Sequence, residues 1–217
     1  MEYTEDDFRE FAAQLSRPKG ALGIEVGLDM NRNNAPMISA TIERLRLSGA
    51  ERILELGHGN GSHIPDLLGR ASDLEYTGLE ISELMHQEAR KIDALPTSRV
   101  SFHLYSGELF PFDDLMFDRI MTVNTVYFWK DPRTTLQEMF RVLQTGGSAH
   151  ITFGQRATME RLPFTKFGFQ HYDTPNMKAL LNELPWRSIE VDDHADEIPF
   201  GPDNSMTREF SIATVVK

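Results

Sequence analysis

The chain of 217 residues contains no cysteine, which removes disulfides, thiolate nucleophiles and Cys-ligated zinc together and suits a reducing compartment. Positive charge is also scarce: 22 Lys and Arg stand against 33 Asp and Glu, a formal net charge of −11. Affinity for a phosphate backbone rests on clustered Lys and Arg, and no basic run is present, so nucleic acid is disfavoured as a partner. Nowhere do about 18 apolar residues run together, so no membrane-spanning helix is expected. Met1 to Glu10 is acidic and lacks the apolar core of a signal peptide. A cytoplasmic protein is the expectation. Metal-ligand spacing is missing too: His58 and His63 are separated by a turn, and His194 sits among Asp192, Asp193 and Asp196 in what reads as a solvated loop. Repeats and low-complexity tracts are not evident, and the length suits one domain with appendages.

The most informative segment is Ile53-Leu54-Glu55-Leu56-Gly57-His58-Gly59-Asn60-Gly61. A buried strand that breaks into a glycine turn and then a helix offers free backbone N–H groups where a ligand can approach closely, which points to a nucleoside-type cofactor. A dinucleotide fingerprint is G-x-G-x-x-G, whereas here Ser62 holds the sixth place. Glu55 lies within the strand, poorly placed for a pyrophosphate and well placed for a cationic or amine-bearing ligand.

Glu55 to Gly61 resembles motif I of the class I methyltransferases that use S-adenosylmethionine. Gly78-Leu79-Glu80-Ile81-Ser82 resembles the second motif, with Glu80 lying 19 positions after Gly61 (80 − 61), near the roughly 20 expected of a ribose-binding carboxylate. Ser106-Gly107-Glu108-Leu109-Phe110-Pro111-Phe112 is similar to the family's Gly-Asp stretch and its Leu-Pro-Phe turn. Phe117-Asp118-Arg119-Ile120, Asn124, Asp131-Pro132 and Arg141-Val142-Leu143-Gln144-Thr145-Gly146-Gly147 follow in family order, so the resemblance covers about residues 50 to 154.

Alternating strand and helix signals predict a doubly wound, mostly parallel α/β sheet, and the resemblance implies seven strands in a Rossmann-like methyltransferase fold with a final antiparallel strand at 208–216. Strands are expected at 52–56, 75–80, 100–104, 119–123, 148–153 and 187–192. Helices are expected near 62–69, from an N-cap at Ser82 to about Ile92, from Asp131-Pro132 until Gly146 and Gly147 stop it, and from Thr174-Pro175 to about Leu184. Residues 1–46 form an expected N-terminal helical cap and 47–217 the Rossmann-like domain, with an aromatic insert at about 155–173. Within the cap, Thr4 to Leu15 reads as a helix, residues 17–34 as a Gly- and Asn-rich segment that folds over the cofactor, and Pro36 as the start of a helix to about Leu45.

The resemblance implies roles at matching positions. Gly57, Gly59 and Gly61 let the loop approach S-adenosylmethionine, Glu55 helps hold its amino-acid end, and Glu80 accepts from both ribose hydroxyls. Ile81 lies against adenine, Gly107 and Glu108 mark the exocyclic amine, and Asn124 sits at the rim facing the methyl group. The implied reaction is in-line attack on the sulfonium methyl by a small or medium-sized organic acceptor. Met30, Tyr127, Trp129 and Phe167 are the candidate acceptor-binding residues, with Tyr127 and Trp129 on one side of an extended segment. His171, Tyr172 and Tyr127 are the candidate bases. Asn124-Thr125-Val126-Tyr127 is not the Asn-Pro-Pro-Tyr of amino-methylating nucleic-acid enzymes. Two alternatives stand beside this reading: a non-catalytic binder of S-adenosylmethionine or S-adenosylhomocysteine, and a nucleotide-dependent oxidoreductase.

Overall fold

A computed structural model describes residues 3–199 and 204–217; Met1 and Glu2, at the start of the expected cap, lie outside it. Seven strands form one sheet: β1 (Arg52–Leu56), β2 (Glu75–Glu80), β3 (Val100–Leu104), β4 (Phe117–Val123), β5 (Leu143–Gly154), β6 (Ser188–Pro199) and β7 (Ser205–Val216). Their order is β3-β2-β1-β4-β5-β7-β6, and β7 is antiparallel to both of its neighbours while the remaining pairings are parallel. The sheet is therefore mixed, with one reversed strand in an otherwise parallel array.

The apolar run of β1 alternates its side chains between two cores. Leu54 and Leu56 pack with Leu136, Met139, Met177 and Leu181 on one face, while Ile53 joins Ile42, Ile64 and Leu67 on the other. Each such fully buried side chain contributes roughly 1.5–3 kcal/mol, so the strand is held from both sides. The helices that supply these faces are α3 (Ile64–Leu68), α4 (Glu83–Ala89), α5 (Pro132–Val142) and α7 (Thr174–Leu181), with α6 (Arg156–Met159) in the insert. Caps set several starts: Ser82 Oγ accepts from the Met85 N–H at 3.2 Å, and Asp131 and Asp173 cap α5 and α7.

Three expectations need correction. The glycine pair does not stop α5, which ends at Val142; Gly146 and Gly147 lie within β5, where Gly146 donates its N–H to the Lys217 carbonyl. His194 is in a strand, not a solvated loop, and its ring stacks on Phe210 of the paired strand with centroids 5.1 Å apart.

The largest departure is at the N-terminus. After α1 (Glu5–Ser16), capped by the reciprocal Thr4 and Asp7 bonds, a single helix α2 (Gly20–Arg44) runs through the expected loop and through Pro36. Pro36 lies exposed, so its lost N–H removes one bond without opening a buried gap. Gly23 and Gly27 bring the helix onto α4: a Cβ at Gly23 would lie 2.9 Å from Leu84 Cδ2, and one at Gly27 3.0 Å from Met85 Sδ. Ser82 Oγ donates to the Pro18 carbonyl at 2.6 Å, tying the α1–α2 junction to the end of β2. Among the described residues, no helix is long and apolar enough to cross a membrane.

Candidate functional site

The strand order reverses direction between β1 and β4, and the crevice at the carboxyl ends of those strands is where open α/β sheets place ligands. Gly57 and Asn124 leave β1 and β4 there, both with left-handed backbones, φ 74° and 59°. The two turns touch: a Cβ at Gly57 would come within 2.4 Å of Thr125 Cγ2. Gly61 (φ 74°) packs under Ile64 and Ala89 rather than at the crevice, whereas a Cβ at Gly59 (φ 57°) would meet open space.

Glu80 organises this loop. Its carboxylate accepts from the backbone N–H of Gly59 at 3.0 Å and from those of Ile81 and Ser82 at 2.8 Å each, joining the glycine turn to the end of β2. Burial pushes the Glu80 carboxyl above the usual carboxylate range, and the backbone donors pull it part of the way back.

Behind the loop, Glu55 Oε2 accepts from the Tyr76 hydroxyl at 2.5 Å and pairs with His63 Nε2 at 2.8 Å. Burial drives both members of that pair toward neutrality, but their mutual charge and hydrogen bond outweigh it. Glu55 is held below the ordinary carboxylate range and His63 above the ordinary imidazole range. His58 is different: burial holds it down to about 4, and its Nδ1–H donates to the Gly59 carbonyl at 2.7 Å. Its neutral Nε2 is buried with no partner among the described residues.

Two cavities meet at this end of the sheet. The first is lined by Glu55, Gly57, Gly59, Glu80, Ile81, Gly107, Asn124 and Trp129, with Leu15, Pro18, Gly27, Met30 and Asn31 contributed by α1, α2 and the turn between them. Asn31 Nδ2 donates to Asn60 Oδ1 at 2.7 Å, fastening α2 to the glycine loop. Seven of the nine cofactor positions named from sequence therefore line one space. Gly61 lies beneath it, and Glu108 lies apart: its side chain is 56% exposed and paired with Lys130 Nζ at 2.8 Å, because the extra methylene carries its carboxylate out to solvent.

The second cavity is mostly apolar, with Phe11, Val26, Met159, Leu162, Phe164 and Phe169 on its walls, and shares Leu15, Met30, Asn34, Asn124 and Phe128 with the first. Its polar groups are Tyr127, Asn34, Asn124, Asn33, Asp29 and Arg208. Met30 lines both cavities. Tyr127 and Trp129 do not share a side, because residues 126–128 form a 3-10 turn that sends Tyr127 to the second cavity and Trp129 to the first. Phe167 lines neither and lies under the Arg9 guanidinium, 4.5 Å from the ring centroid. His171 and Tyr172 also line neither; Tyr172 is in the core and donates to Gln170. Tyr127 accepts the Gly154 N–H and donates to Asn124 Oδ1 at 2.9 Å, and burial raises its hydroxyl pKa, so it is a poor base.

Sequence reasoning missed Asn31, Asn34 and Arg208. The two asparagines sit three apart on one face of α2, a spacing that is informative only once the segment is known to be helical. Arg208 was visible only as the first residue of the last expected strand.

The first cavity suits a nucleoside-type ligand with an amine-bearing tail. The Glu80 carboxylate stands at its wall with backbone donors already holding it, Gly59 leaves the space a Cβ would fill, and among the described residues Glu55 Oε1 carries no bond while Oε2 carries two. A seven-stranded sheet of this order with that loop at its switch point defines a Rossmann-like α/β protein for a nucleoside cofactor.

Comparison with known proteins names the family. Residues 54–151 match the family described as "Methyltransferase domain". The chain is 30% identical over 132 residues to a Bacillus subtilis protein described as "Uncharacterized methyltransferase YdaC", covering 60% of this chain and 71% of that protein. It is also 30% identical over 178 residues to the phthiotriol/phenolphthiotriol dimycocerosates methyltransferase of Mycobacterium leprae, of which it spans 60% while 81% of this chain is covered. In structure it is similar to a chain in the complex between the Haloferax volcanii Trm112 methyltransferase activator and a methyltransferase, with a TM-score of 0.76, 19% identity and coverage of 97% and 98% of the two chains. A methyltransferase of Thermotoga maritima, described as a possible histamine N-methyltransferase, aligns with a TM-score of 0.66 and 22% identity over 90% of this chain and 95% of that one. The chain belongs to the class I S-adenosylmethionine-dependent methyltransferases, with S-adenosylmethionine as its cofactor.

Proposed function

We propose that this enzyme methylates a small or medium-sized, predominantly apolar organic acceptor held in the second cavity. One observation carries the reading: an apolar cavity lies against the cofactor cavity, the two sharing Leu15, Met30, Asn34, Asn124 and Phe128 in their linings. S-adenosylmethionine, when bound, supplies a methyl group already activated by its sulfonium, so little is left for the protein beyond alignment and exclusion of water. Glu80 and the Gly57–Gly59 backbone would hold the nucleoside end, and Glu55 would accept from the amine of the tail. Met30 and Phe128 keep the junction dry, and Asn124, fixed by Tyr127 and Asn34, sets its polar edge.

None of the five shared residues is titratable. The acceptor atom therefore attacks as an amine, or as an oxygen or sulfur ionised on its own account, with no protein base. Incubation with S-adenosylmethionine labelled in its methyl group and a panel of apolar metabolites is expected to label small molecules. Narrowing the second cavity with Leu162→Trp should abolish that labelling while calorimetry shows unchanged S-adenosylmethionine binding. Label found only on polypeptide or nucleic acid refutes the reading.

A further inference from the structure

We propose that the side-chain amide of Asn34 determines acceptor specificity by donating a hydrogen bond to an uncharged oxygen, of the carbonyl, ether or hydroxyl kind, on an otherwise apolar acceptor. The inference rests on the assignment of the second cavity to the acceptor.

A chain of hydrogen bonds fixes which way the amide points. The Arg208 guanidinium can only donate, and its Nη1 reaches Asn34 Oδ1 at 3.4 Å, so the approached atom must be the oxygen. Asn124 Nδ2 donates to the same oxygen at 3.0 Å. From the other end, the Tyr127 hydroxyl oxygen accepts the Gly154 N–H, so its hydrogen goes to Asn124 Oδ1, and the Asn124 NH2 is again the group turned toward Asn34. Both directions give one answer. Asn34 Oδ1 is consumed twice, and Asn34 Nδ2 is left with no hydrogen-bond partner among the described residues.

That nitrogen is not sealed in the core. It is absent from the buried, unpaired side-chain atoms, and Asn34 lines both cavities, at the junction the methyl group must cross. Two N–H donors held in a fixed direction there would place an acceptor oxygen next to the attacked atom.

The oxygen is uncharged because, among the described residues, the cavity offers no free cation. Among the described residues Arg208 is the one cation lining it, and its side chain, 7% exposed, is spent on Asp196 through Nε at 2.9 Å and through Nη2, which also reaches the Asn33 carbonyl. The pair is neutral as a unit, and Asp29 at the wall is likewise paired, with Arg32, so neither pair leaves a positive charge for an anion. A carboxylate entering this space would lose its hydration for one amide donor, an unfavourable exchange. The Phe128 and Phe169 rings, with centroids 4.6 Å apart, suit a flat ring beside that oxygen.

The test uses the full chain saturated with S-adenosylhomocysteine and three naphthalene probes followed by their own fluorescence: 2-acetylnaphthalene, its oxygen-free isostere 2-isopropenylnaphthalene, and 2-naphthoate. The ketone is expected to bind about three- to tenfold tighter than the alkene, the range of one neutral hydrogen bond, and tighter than the carboxylate. Asn34→Asp keeps the oxygen that Arg208 and Asn124 use and replaces the donor with an acceptor, so the ketone preference should vanish; Asn34→Leu should erase it as well. Equal binding of ketone and alkene by the unmodified protein overturns the inference, as does tightest binding of naphthoate. So does a ketone preference that survives Asn34→Asp, and a fall in S-adenosylhomocysteine affinity beside it would assign the amide to the cofactor. If Leu162→Trp leaves all three probes bound as before, or none binds at all, the acceptor-cavity reading fails and the inference falls with it.

Discussion

Acidification should unfold this protein by way of two histidines that folding keeps neutral. His58, in the glycine loop, is held to about 4 by burial. His150, in β5 between Ser148 Oγ at 2.9 Å and Thr214 Oγ1 at 3.2 Å, is held to about 3 by burial and then by Arg119, Arg44 and Arg46. Each takes up a proton near 6.5 in the unfolded chain and refuses it when folded, so the unfolded state binds more protons and stability falls as pH drops below 6.5. Each group contributes about 1.4 kcal/mol per pH unit in that window, so at pH 4.5 the two together remove about 5 kcal/mol, comparable with the whole stability of a marginal domain. The Glu55–His63 pair does not offset this slope. The raised His63 contributes stability that is complete below about 6.5 and lost only as pH climbs through its folded value, and the lowered Glu55 contributes above the carboxylate range. Glu80, pushed up by burial, acts in the opposite sense within the carboxylate range, so a variant comparison isolates the effect better than the wild-type curve alone. Urea denaturation at pH 4.5 to 7.5 should show the stability of His150→Gln falling less steeply, by about 1.4 kcal/mol per unit below pH 6.5. Parallel slopes for the two proteins, or an NMR titration placing His150 near 6.5 in the folded state, refute the reasoning.

Two further outcomes follow from the loop. Glu80→Ala removes a charged acceptor from three backbone donors and from the expected ribose contact, so S-adenosylmethionine affinity should drop roughly tenfold to a hundredfold by calorimetry; undiminished affinity would take Glu80 out of the site. Gly57→Ala forces a Cβ to within 2.4 Å of Thr125 Cγ2 at φ 74°, and should destabilise the fold by about 1–3 kcal/mol in urea titrations. Adding Thr125→Ser removes that methyl while keeping the hydroxyl used by Thr122 and Trp129, so the double variant should recover part of the loss; no recovery would place the strain elsewhere.

What the sequence made legible was the part whose local pattern and tertiary role coincide. β1 reads as a strand because Ile53, Leu54 and Leu56 make a short apolar run that is buried on both faces, and Gly57 and Gly59 read as a ligand turn because left-handed backbone favours glycine. Glu80 was legible by distance from the last glycine. Glu108 was not, since its position in the motif says nothing of the methylene that carries it to Lys130.

The opposite case is α2, where the residues that argue most strongly against a helix are the ones the site requires. Gly23 and Gly27 lower helix propensity by about 1 kcal/mol each, yet any larger side chain would hold α2 away from Leu84 and Met85 and open the cofactor cavity. Asn31 and Asn34 favour turns in isolation, but on this helix they bond Asn60 of the glycine loop and Asn124 of the β4 turn. Thr41, about two turns further on, meets Thr152 of β5 with hydroxyls 2.6 Å apart. Contacts with the sheet and its loops therefore override intrinsic preference along the helix, and a window of sequence containing none of those partners can only register the preference. The mismatch is itself the signal: glycines four apart and asparagines three apart in a segment too regular for a loop mark a helix whose composition is set by what it covers.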